Sequence, residues 1–137
     1  MHVCTGSVVH SAGGDLVVTA AHCLPGGDTQ AFFVPGLSGD DTPSGRWQVD
    51  QVYFDARWIA SMDPWADYAI ARVSGDGPVA AQVGPAWSLG VAPAAGTRVT
   101  VAGYPAGVGG RPIACAGHTG VAAGGFPSLA CDGLVEG

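Results

Sequence analysis

The chain contains no lysine: all five of its basic residues are arginine, against eleven acidic ones, for a formal net charge of −6. It therefore lacks a basic footprint for a phosphate backbone, which disfavours nucleic acid as a partner. Charge of either sign is scarce at 12% of residues, whereas hydrophobic residues make up 47%, the reverse of a disordered composition. No segment approaches the ~18 consecutive apolar residues of a membrane span, and no membrane partner is expected. Met1-His2-Val3 lacks both the charged n-region and the apolar h-region of a signal peptide. The four cysteines have no C-x-x-C spacing, which favours two disulfides over a zinc site and hence an exported protein. An exported chain without a leader implies that the natural N-terminus lies upstream of Met1.

What is abundant is turn-forming residues, 23 glycines and 10 prolines, as between many short strands. A length of 137 residues suits one domain or a piece of one, since all-β barrels commonly reach ~200 to 250 residues as a single unit. Strands are predicted over Met1 to Val9 and Leu16 to Thr19, joined by a hairpin turn at Ser11-Ala12-Gly13-Gly14-Asp15, and over Gln30 to Val34. Gly36 to Gly45 is a polar loop. Trp47 to Phe54 alternates, with Trp47, Val49 and Gln51 on one side and Gln48, Asp50 and Val52 on the other. Residues 1–77 form a first β unit. Residues 78–95, uncharged and rich in Pro, Ala and Gly, form a crossing in which Trp87 and Leu89 serve as pins; residues 96–137 open a second unit. In the last segment Thr97 to Ala102 is a strand closed by Gly103-Tyr104-Pro105, Gly107 to Pro112 a loop, Ile113 to Cys115 a strand start and Leu129 to Cys131 a strand end.

The most informative stretch is Val17-Val18-Thr19-Ala20-Ala21-His22-Cys23. Its β-branched run ends in two small residues that allow a tight turn, so His22 emerges where a rigid strand gives way to a loop, a good position for a base. Together with Cys4-Thr5-Gly6-Ser7-Val8-Val9, it resembles the trypsin-like, chymotrypsin-fold serine proteases of the bacterial secreted type. The resemblance implies an all-β fold of two barrels, the first nearly complete and the second incomplete. It also implies His22 as general base, a disulfide between Cys4 and Cys23, and a protein or peptide substrate handled by a secreted monomer without cofactor or metal. Cys115 and Cys131 enclose a loop of similar length, and each bridge would stabilise the fold by ~3 kcal/mol.

Asp67-Tyr68-Ala69-Ile70-Ala71-Arg72-Val73 resembles the family segment that supplies the carboxylate behind the histidine. Such a carboxylate accepts the proton of one ring nitrogen, fixes the tautomer and stabilises the imidazolium that forms. Asp67 is the expected residue; its neighbour Asp63, before Pro64, reads as a turn former. His118 reads as an exposed loop histidine. None of Ser74, Ser88 and Ser128 has the flanking glycines of the family's Gly-x-Ser-Gly nucleophile segment, of which Gly137 is a candidate first residue. The chain therefore reads as a fragment of a serine endopeptidase, inactive alone and prone to aggregate through the open edges of its second barrel. Asp132, near the region that sets side-chain specificity, does not decide the preference. Two alternatives are weaker. A non-catalytic homologue acting as a binding module would have no need of His22 and Asp67 together. A metal site on His2, Cys4, His22 and Cys23 has irregular spacing and cysteines placed for a disulfide.

Overall fold

The computed structural model describes residues 4–27 and 30–131; His2, Asp132 and Gly137 lie outside them. The chain divides into two compact units, one of Thr5–Ser88 and one of Leu89 onward together with Cys4.

The first unit is built on a five-stranded sheet in the order β1-β2-β5-β4-β3, with β1 Ser7–Val8, β2 Leu16–Thr19, β3 Phe32–Phe33, β4 Trp47–Phe54 and β5 Ala69–Ser74. All its ladders are antiparallel. Val17, Trp47, Val49, Ala71 and Val73 point into one core, because side chains alternate along a strand and the apolar positions share a face. Trp47 is 2% exposed, and its indole N–H donates to the Gly77 carbonyl at 2.9 Å. The sheet curls strongly. A Cβ placed on Gly6, just before β1, would lie 2.9 Å from Val17 and 3.2 Å from the Phe33 ring of β3 at the opposite edge.

The β1–β2 hairpin has the expected turn, in which the Ser11 hydroxyl accepts the Gly14 N–H at 3.1 Å. Gly14 takes φ +65°, a region open to glycine at little cost. Helix α1, Ala56–Ser61, follows β4. A second short helix, α2, Val79–Val83, lies within the stretch expected as a crossing; Val79 is wholly buried in the core, and Ala80 N–H donates to the Gly14 carbonyl.

Two strand details differ from expectation. Within the described residues the first strand is Ser7–Val8 and the third Phe32–Phe33, both shorter than predicted. In β4 the register with β5 shifts between Val49 and Gln51, leaving Asp50 as an extra residue, a β-bulge. The alternation therefore reverses. Val52 and Phe54 pack against the same core as Trp47 and Val49, and Gln51 is exposed instead of sharing their face.

The second unit pairs β6 Arg98–Gly103 with β7 Ile113–His118, and β8 Gly120–Val121 with β9 Pro127–Ser128. A disulfide joins Cys115 and Cys131, with Cα atoms 5.8 Å apart. His118 is exposed, as expected, but it ends β7 opposite Arg98 instead of lying in a loop. The segment 129–131 is irregular and follows β9.

Candidate active site

The site grows from one end of three adjacent strands. The registers pair Thr19 of β2 and Phe54 of β4 with the same residue, Ala69 at the start of β5. Beyond that row the chain of β2 enters a 3₁₀ turn, Ala21–Cys23, carrying His22. On the middle strand, the residues before Ala69 are Tyr68 and Asp67.

The turn Ala21–Cys23 begins without help from its own cap, since Ala20 has no side-chain acceptor to offer. The first N–H groups of any helical turn lack partners within it. Asp67 meets that need from the turn that leads into β5: its Oδ1 accepts the His22 backbone N–H at 2.9 Å. Its Oδ2 lies 2.7 Å from His22 Nδ1. One carboxylate thus holds both the main chain and the ring of the same histidine, and Ala21 N–H adds a further hydrogen bond.

Asp67 is held below its ordinary carboxylate range: burial pushes its pKa up, but hydrogen bonds from the His22 ring, the His22 N–H and the Ala21 N–H outweigh it. An ionised carboxylate only accepts, so the ring proton sits on Nδ1 and Nε2 carries the lone pair. The side chains of His22 and Asp67 are 32% and 27% exposed, so the pair stands at the solvent boundary.

Asp67 is the central residue of a tight reversal. Its φ of −78° and ψ of 62°, with Tyr68 N–H donating to the Ala66 carbonyl at 2.8 Å, define an inverse γ-turn. Upstream, Asp63 caps the 3₁₀ turn Pro64–Ala66 by accepting the Trp65 N–H at 3.0 Å. Asp63 is therefore a turn residue, as its Asp-Pro sequence indicated, and it is Asp67 that the fold brings to His22.

Cys4 and Cys23 are each in a disulfide as well, and no described cysteine is free. A disulfide sulfur is not a thiolate ligand, so the irregular set of His2, Cys4, His22 and Cys23 offers no cysteine donor to a metal. Among the described residues no helix is long and apolar enough to cross a membrane.

Sequence reasoning missed Asp55 and Tyr68. Asp55 follows β4 and caps α1, its Oδ1 accepting the Arg57 N–H at 2.8 Å and Arg57 Nε at 3.1 Å. Its Oδ2 accepts Arg57 Nη2 at 3.2 Å and the Tyr68 hydroxyl at 2.8 Å. These bonds, with Arg57 the strongest, hold the Asp55 carboxyl well below the usual range. The same carboxylate pushes the Tyr68 hydroxyl up. The only available sequence signal was Asp55 itself, a good N-cap residue before Ala-Arg-Trp.

A family model, the trypsin-like peptidase domain, matches residues 4–132, and the chain belongs to that family. No curated protein matches it by sequence. Among solved structures it is similar to the protease Anisep from Arthrobacter nicotinovorans, at 27% identity and a TM-score of 0.77 over 89% of this chain and 59% of that one. It is equally similar to the thermostable serine protease AL20 from an extremophilic microorganism, at 27% identity and a TM-score of 0.77, covering 90% of this chain and 62% of that one. A Glu endopeptidase shares the fold at 19% identity and a TM-score of 0.70, over 85% and 56% of the two chains. The chain thus spans roughly three-fifths of the length of the solved proteases it matches. Its fold is their all-β, chymotrypsin-like one.

Proposed function

We propose that this chain carries the His–Asp half of the Ser-His-Asp triad of a secreted serine endopeptidase. The observation that carries the reading is the double grip of Asp67 on His22, through Nδ1 at 2.7 Å and the backbone N–H at 2.9 Å. His22 Nε2 takes the proton of a serine hydroxyl as that oxygen attacks the peptide carbonyl, then returns it to the leaving amine; Asp67 keeps the tautomer and stabilises the imidazolium. The nucleophile is assigned to none of Ser74, Ser88 and Ser128. Ser74 donates its hydroxyl to Asp50 at 3.0 Å, and no glycine pair flanks any of the three. A serine in a Gly-x-Ser-Gly segment of a longer protein fits the role. Disulfides accord with export.

The test is to sequence the source DNA across both ends of the reading frame and express the continuous frame that results. Casein hydrolysis and labelling by a fluorophosphonate are expected, with His22→Ala abolishing hydrolysis and Asp67→Asn lowering kcat by about 10⁴-fold. The 137-residue chain alone should show neither activity. Hydrolysis by that chain would move the nucleophile inside it, and an inactive, unlabelled longer protein would favour the binding-module reading.

A further inference from the structure

The hydrogen bond from the Tyr68 hydroxyl to Asp55 has no place in the mechanism above, yet it sits one residue from Asp67. From this geometry we propose that Tyr68 is a positioning residue: its bond to Asp55 anchors the γ-turn that aims the Asp67 carboxylate at His22. The inference rests on the His–Asp reading of the site.

Asp67 lies outside the sheet ladder, since β5 begins at Ala69. Its orientation is therefore set by what pins the turn on either side. Upstream, the pin is the cap from Asp63 to Trp65. Downstream, Tyr68 follows Asp67 directly, and its hydroxyl reaches across to the residue after Phe54, the partner of Ala69. The Asp55 end is fixed in its turn: a carboxylate only 19% exposed accepts three hydrogen bonds from Arg57 at the start of α1. A side chain free to swing would give a γ-turn no fixed point. Tyr68 is bonded at its tip to a carboxylate locked at the N-terminus of a helix, and a pivot held at both ends leaves Asp67 one orientation. Rigid support of this kind decides whether a catalytic geometry is held to a fraction of an ångström.

The test needs no nucleophile. In the full 137-residue chain with ¹⁵N-labelled histidine, NMR follows the solvent exchange of the His22 Nδ1 proton. Asp67→Asn serves as the reference and should remove the slowly exchanging proton. Tyr68→Phe deletes one exposed hydroxyl and should quicken exchange about fivefold, the size of one ordinary hydrogen bond. Asp55→Asn, which keeps an acceptor oxygen for the α1 cap, should do the same, and the double variant should exchange no faster than either single one. Wild-type exchange in both Tyr68→Phe and Asp55→Asn, even with a lowered melting temperature, would reduce the bond to a structural contact and overturn the proposal. Independent effects that multiply in the double variant would overturn it too. If Asp67→Asn leaves the proton unchanged, the His22–Asp67 couple itself fails, an outcome separate from failure of the Tyr68 variants alone.

Discussion

The two units solve the same problem with unequal means. Thr5–Ser88 buries Val8, Val17, Trp47, Val49, Ala71, Val73 and Val79 beneath one curled sheet. In the other unit, β6 and β7 form a two-stranded ribbon on which Val101 is 44% exposed, and Leu89, Val91 and Val121 are more open still. Two strands alone bury too little to be stable in water, so this unit relies on local ties. Thr119 donates to the Thr97 and Ala94 carbonyls, Leu129 packs on Gly117, and Cys115 is bridged to Cys131. The difference teaches where a polar histidine–aspartate pair can be held: His22 and Asp67 stand on the unit whose core fixes the strands beside them.

Core deletion should break this contrast most severely. Trp47→Ala is expected to cost about 3–5 kcal/mol, read by urea unfolding with a probe in the first unit. Removing the bridge with Cys115→Ser and Cys131→Ser should cost ~3 kcal/mol and be confined to β6 and β7 in hydrogen exchange, leaving β2 and β5 protected. If both changes unfolded the whole chain together, the units would not be energetically distinct. Gly6→Ala pushes a methyl against Val17 and Phe33 and should destabilise the first unit by about 1–3 kcal/mol, seen as a lower melting temperature.

Asp67 sharpens the comparison through pH. Its pKa in the folded chain lies below the ordinary 3.8, so its contribution is fully present above that value and is lost as pH falls through the folded one. Acid titration of stability should therefore show a limb below about pH 4 that Asp67→Asn flattens, and an unchanged limb would remove Asp67 from the network. Val101→Thr, on the open ribbon, should change stability by less than about 0.5 kcal/mol; a core-sized loss would mean that this face is covered.

Much of this was legible in the sequence because it was local. The β-branched run Leu16–Thr19 and the alternation at the start of Trp47–Phe54 specify strands by composition, and both were found at their true limits. Helix α1 was not, since six residues are fewer than two helical turns and give no period to read. The bulge left a trace that went unused: Val52 and Phe54 are out of phase with Trp47 and Val49, and only an extra residue brings all four to one core. His22 and Asp67 could be named from motifs resembling a family, but the double grip depends on the register of β2 with β5. The bond between Tyr68 and Asp55 was out of reach for the same reason, because no local pattern says which residues meet at the end of a ladder.

That bulge gives the chain a hidden reading frame. From Gln51 onward β4 is presented half a pleat later than an unbroken strand would be, and everything downstream inherits the offset. Deleting Asp50 would only restore plain alternation, with Trp47, Val49, Val52 and Phe54 still facing the core, whereas a residue inserted between Gln51 and Val52 and kept in the ladder would turn Val52 and Phe54 outward and shift Asp55 away from Tyr68. The most damaging change to the edge that holds His22 and Asp67 is thus a frameshift in space, made by adding one residue in the middle of the strand.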